Sequence, residues 1–213
     1  MHNALIQLAT LQRWQQTSAS LGIRSVDAEY RKLMRAWRSW GRRYHTLDHL
    51  NACLREFDLV RQLAERPAEV ELALWFHDAV YKTRRSDNEV RSAAWATEFL
   101  ESHGTAKEVV ARVAGLVLAT AHNVGELSGD AALTVDIDLS ILGQPREVYD
   151  VFERNVRREY WWVPKKRFVA GRTRILQSFL DRPTIYHWPV MRDKFEVRAR
   201  ENLARATAQL AKS

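Results

Sequence analysis

The chain has 213 residues and a net charge of +7, with 33 Lys and Arg against 26 Asp and Glu. That length buries a proper core in one domain, and no run approaches the roughly 20 uncharged apolar residues of a membrane span. The single cysteine, Cys53, excludes an internal disulfide and fits a reducing compartment.

Only 8 Gly and 5 Pro punctuate the chain, which favours helices joined by short loops. A first helix is expected over about residues 4–20, closed by Gly22 as a left-handed cap. Ser25 or Asp27 caps a second helix carrying Tyr30, Leu33, Met34 and Trp37 at helical spacing, stopped by Gly41. A third starts near residues 45–47 and runs toward residue 64. Its core stripe is Leu47, Leu50, Leu54 and Phe57, and His45, His49 and Cys53 share a neighbouring stripe. Pro67 suits the first turn of a fourth helix, residues 68–79, whose apolar second half belongs in the middle of a bundle.

Ser86-Asp87-Asn88-Glu89 and Thr105-Ala106-Lys107-Glu108 both have the form of a capping box. They should open helices running to about residues 101 and 121. Residues 122–130 read as a polar loop. A short helix over 133–142 ends at Gly143, and another carrying Tyr149, Phe152 and Val156 starts at Pro145. A helix with Phe168, Ile175, Leu176 and Phe179 follows Pro164 and breaks at Pro183. The last spans about 191–210, after Pro189. Period-two alternation is nearly absent, so the fold class is all-α: one helical domain, with residues 44–143 holding the chemistry and helices of 145–211 packing on it.

Chemistry concentrates in three places: His45 and His49 in Tyr-His-Thr-Leu-Asp-His, the pair His77-Asp78, and Asp136-Ile137-Asp138. An ionised carboxylate in an apolar helical run is costly. Two imidazoles and two carboxylates can hold one divalent cation and keep positions open for water and substrate. The charge makes an anionic partner worth considering. The cations stand mostly beside Glu and Asp, as on a solvated face. Basicity alone therefore decides nothing: a small phosphorylated molecule is the expected partner, nucleic acid is the third reading behind it, and self-association stays open. The start Met1-His2-Asn3-Ala4 lacks a secretory pattern, so the cytoplasm is the expected location and no membrane is expected.

The order of these motifs resembles the HD superfamily of metal-dependent phosphohydrolases. Tyr-His-Thr-Leu-Asp-His, Trp-Phe-His-Asp-Ala-Val-Tyr, Ser-Asp-Asn-Glu and Asp-Ile-Asp-Leu-Ser-Ile-Leu-Gly together look like a bacterial family of predicted HD phosphohydrolases, over nearly the whole chain. The resemblance implies His49, His77, Asp78 and Asp138 as metal ligands, with Asp136 the rival for the last place. It implies hydrolysis of a phosphate ester, or binding of metal or nucleotide without turnover. Mixed nitrogen and oxygen ligation suits Mn, Fe, Co or Ni better than Zn, with Mg admissible and one ion preferred to two. Asp78 is placed to orient water, and the resemblance casts His45 as the acid for the leaving oxygen. Arg84 and Arg85 follow the His-Asp pair by one short loop and are expected to bind phosphate. His122 and Arg158 are further candidates for substrate. Asp48 has two readings, a partner for a ligand imidazole or a first-turn acid favoured by the helix dipole.

Overall fold

The structure, a computed structural model, describes residues 7–122 and 126–212. Among these the fold is all-α: ten α-helices and two short 3-10 turns, with no strand. The backbone divides into two compact units, residues 1–134 and 135–213.

In the first unit α1 is Leu11–Ser20, shorter than expected. Thr10 caps it, its hydroxyl accepting from Arg13 N at 3.2 Å. Asn51 Oδ1 accepts from Leu8 N and Ala9 N, at 2.8 Å each, and ties the segment before α1 to the third helix. The expected turns at residues 4–6 lie outside the described residues. Helix α2 spans Asp27–Trp37, and Val26 occupies the cap position in place of Ser25 or Asp27. Gly41, at φ +96°, turns the chain four residues after α2 ends. Helix α3, Leu47–Val60, continues as a 3-10 turn over Arg61–Leu63.

Helix α4, Pro67–Phe76, is buried at every position from Glu69 to Phe76 and packs against α1, α3, α5 (Asn88–Ser102) and α6 (Lys107–Ala119). It is the central helix that its apolar second half requires. Trp75 and Phe76 meet Trp14, with ring centroids 5.4 and 6.0 Å apart, and Phe99 closes the cluster 5.3 Å from Trp14. Its two buried acids are both matched by cations. Glu69 takes a two-pronged pair from Arg112, and Glu71 takes Arg13, Arg61 and the Thr17 hydroxyl. A buried carboxylate is tolerable only with such partners.

Neither capping box forms. Helix α5 starts after Asp87 and α6 after Ala106, and no side chain caps either. Asn88 instead ties the loop before α5, accepting from Lys82 N at 3.0 Å and donating to Lys82 O at 3.1 Å. Helix α7, Gly129–Asp138, begins four residues before the expected start. Asp130 in its first turn accepts from the backbone N of Glu65 and Arg66 at 2.8 and 2.9 Å.

The second unit comprises the end of α7, a 3-10 turn over Leu139–Gly143, α8 (Arg146–Glu159), α9 (Lys165–Leu180) and α10 (Pro189–Ala211). Helix α10 packs along α9 and against that turn. A Cβ at Gly143 would stand 2.5–2.8 Å from Phe195 atoms, two of them backbone, so only glycine allows the approach. Asn202 fastens the same turn by donating to Leu142 O and Gln144 O at 2.9 and 3.0 Å.

Candidate metal centre

The connection between α3 and α4 is short, so the two helices run antiparallel, and the start of α3 lies beside the end of α4. His49 sits in the first turn of α3, and His77 follows the last residue of α4. Both are buried. Their Nε2 atoms are 3.1 Å apart. Asp78, one residue further, brings Oδ2 to 3.3 Å from His77 Nε2 and 3.7 Å from His49 Nε2.

Hydrogen bonds fix how the rings present themselves. His77 Nδ1 is 2.8 Å from Leu74 O. A carbonyl only accepts, so Nδ1 carries the proton and Nε2 keeps its lone pair. His49 Nδ1 is 3.0 Å from the Tyr44 hydroxyl, which can accept its proton and leave His49 Nε2 bare as well. Two bare nitrogens and a carboxylate oxygen within 3.1–3.7 Å repel one another unless a proton or a metal cation lies between them. Bonds of about 2.1 Å give ligand–ligand edges of about 3.0 Å at right angles and about 3.4 Å in a tetrahedron. The geometry therefore accepts a divalent ion.

Cys53, one turn beyond His49 on α3, adds its sulfur, and ligand atoms of His49, Cys53 and His77 lie within 4.8 Å of one another. This buried group can hold a metal ion. Sγ is 3.8 Å from both ring nitrogens of His49, off the axis of either lone pair.

Burial pushes the Asp78 carboxyl up, but His77, His45 and His49, once protonated, outweigh it and hold the group well below the usual carboxylate range. A divalent cation among those rings acts in the same direction.

The sequence reading missed Cys53 as a candidate ligand, and it missed Arg42 altogether. Its buried guanidinium donates to His45 O at 2.8 Å, Asp78 O at 2.7 Å and Ala79 O at 2.9 Å, and Nε donates to Ser39 Oγ at 2.9 Å. It lies between the rings of Trp37 and Tyr81, 5.3 and 5.5 Å from their centroids. One side chain thus ties the segment entering α3 to the His77-Asp78 turn.

His45 does not share a helical stripe with His49. Helix α3 starts at Leu47, after Thr46, whose hydroxyl accepts from Asp48 N at 3.3 Å. His45 precedes that cap and stacks on Tyr81, centroids 3.9 Å apart, with His49 6.0 Å away. Asp48 is an exposed first-turn acid. Arg84 and Arg85 are exposed on the loop after Asp78, and Arg85 reaches both oxygens of Asp87 at 3.4 Å. Asp87 also takes Arg91 at 2.7 Å, so it serves ion pairs where a cap was expected. His122 stands past the end of α6 in the left-handed region, φ +57°.

The remaining candidates belong to the second unit. Arg158 is exposed on α8, 3.5 Å from Asn155 Oδ1. Asp138 is the last residue of α7 and half-buried. Asp136 is fully buried and accepts from His187 N, Trp188 N and His187 Nδ1 at 2.7–2.9 Å. Its carboxylate is spent on holding the residues before α10. No family model, curated protein or solved structure matches this chain.

Proposed function

We propose that the chain is a phosphohydrolase that uses a divalent metal ion to cleave a phosphate ester of a small anionic metabolite or nucleotide. The observation that carries this reading is the convergence of His49 Nε2, His77 Nε2 and Asp78 Oδ2 within 3.1–3.7 Å. His49 and His77 hold the ion, Asp78 binds it and orients the attacking water, and Asp138 supplies the further carboxylate that the resemblance assigns. A bound divalent ion lowers the pKa of water toward about 7 and polarises a phosphoryl oxygen. His45 delivers a proton to the leaving oxygen, a contribution typically worth about 10²–10⁴-fold. Arg84 and Arg85 meet the phosphate. The nitrogen and oxygen ligands suit one ion of Mn, Fe, Co or Ni, with Mg next.

Metal analysis of the purified protein, followed by a phosphate-ester panel with Mn²⁺, tests the reading. Stoichiometric metal and turnover are expected, and Asp78→Ala should lose both while keeping its helicity. Turnover preserved in that variant removes Asp78 from the mechanism. Stoichiometric metal with no ester cleaved reduces the protein to a metal-binding module.

A further inference from the structure

Between Tyr30 and Leu47 the sequence carries Arg31, Lys32, Arg35, Arg38, Arg42 and Arg43 and no Asp or Glu. Arg42 is used inside, as above. Arg31, Arg35 and Arg38 follow one another at steps of four and three along the exposed face of α2. With Tyr30 and Met34 they line a groove of about 430 Å³.

Arginines of this chain fall into two groups, and Arg24, Arg154, Arg167, Arg174 and Arg198 share the setting of these three. Arg13, Arg112, Arg172 and Arg205 all meet carboxylates. Among the described residues Arg31, Arg35 and Arg38 pair with none. Glu29, an acid on the same helix, is committed to Lys32 at 3.0 Å and Trp95 at 2.5 Å. Like charges three and four apart weaken a helix. The dipole at the end of α2 favours Arg35 and Arg38 but not Arg31, a turn further back. Two residues past Arg38 stands Trp40, 90% exposed at the tip of the turn made by Gly41. A tryptophan so placed contributes nothing to the core.

We infer that this face of α2 binds a single-stranded nucleic acid, the arginines following successive phosphates and Trp40 stacking on a base. Unpaired cations lining a groove, with an exposed aromatic ring two residues further along the chain, are what such strands require. A membrane surface calls for a broad apolar face, and Trp40 is the one large apolar side chain exposed between Tyr30 and Leu47. The sequence reading ranked nucleic acid last because the cations mostly stand beside acids. On this segment they do not.

The test uses the full chain in EDTA, so that it is independent of the metal site, with a fluorescein-labelled oligo(dT) or oligo(rU) 20-mer followed by anisotropy across a salt series. Each phosphate contact on a single strand adds about −0.7 to the slope of log affinity against log salt. The triple variant Arg31→Ala, Arg35→Ala, Arg38→Ala should bind much more weakly, with the slope reduced by about 2. Trp40→Ala should weaken binding about tenfold at unchanged slope, and Trp40→Phe should recover most of it. All four positions are exposed, and circular dichroism checks the fold of each variant. No binding by the parent at low salt overturns the inference, as does a triple variant with the parent's affinity and slope. Binding of phosphatidylserine vesicles in place of either oligonucleotide overturns it too, and makes the partner a membrane surface.

Discussion

Replacing Arg42 by Ala removes one buried cation and separates two segments that carry the candidate ligands. The guanidinium makes three bonds to carbonyls, at 2.7–2.9 Å. A hydrogen bond involving a charged group contributes about 1.5–3 kcal/mol, so the three sum to about 5–9 kcal/mol before desolvation. Burying the cation costs several kcal/mol of that. Truncation leaves those carbonyls without their donor, at about 1–3 kcal/mol each where water cannot reach. The expected loss of stability is therefore about 3–5 kcal/mol, a large part of the 5–15 kcal/mol that holds a typical domain. Arg42→Lys keeps the charge but loses the planar fork, and should fall between parent and Ala. Urea unfolding measures the stability. A competition titration with Co²⁺ or Mn²⁺, at a temperature where each variant is folded, measures affinity, which should drop about 10–100-fold in Arg42→Ala. An Ala variant within about 0.5 kcal/mol of the parent and with unchanged metal affinity would refute the clamp.

Metal affinity should fall with pH in a stated direction. Asp78 stays ionised well below the usual carboxylate range, so acid acts first on the imidazoles. Below the ordinary histidine range two rings must each lose a proton to bind the ion, and affinity should decline by up to about a hundredfold per pH unit. Calorimetric titrations between pH 5 and pH 8 decide this, and a flat profile removes the two histidines as ligands. The two candidate acids of α7 should separate cleanly. Asp136→Ala should cost about 2–4 kcal/mol in urea unfolding, because it strips the partners of two backbone N–H groups, with metal stoichiometry intact. Asp138→Ala should lower metal affinity with little change in stability, and the reverse pattern makes Asp136 the ligand.

Helix content and the central place of α4 were legible because both follow from local pattern. Pro67 suits a first turn, and an apolar run with only two acids is soluble only when other helices surround it. Helix starts were less legible. Ser86 and Thr105 have the spacing of a capping box, yet the loop before α5 is pinned by Asn88 to Lys82 and by Ser92 to Val80, and α5 starts two residues later than Ser86. A local motif of modest energy yields when tertiary hydrogen bonds claim the same segment. His45 shows the same limit: a spacing of four marks one face only if both residues lie in the helix, and the Thr46 cap puts His45 outside it.

The helical class and a set of candidate cation-binding residues could be read from the chain alone, because apolar periodicity and side-chain chemistry are local properties. Packing settled which of them lie close together. It set two imidazoles 3.1 Å apart by laying α3 against α4, and it bound Asp136 to the backbone before α10. It also gave Arg42 its task through carbonyls 3, 36 and 37 residues away. Every residue has a carbonyl, so no sequence marks the one that a buried cation will find; only the packing of distant segments brings it within reach.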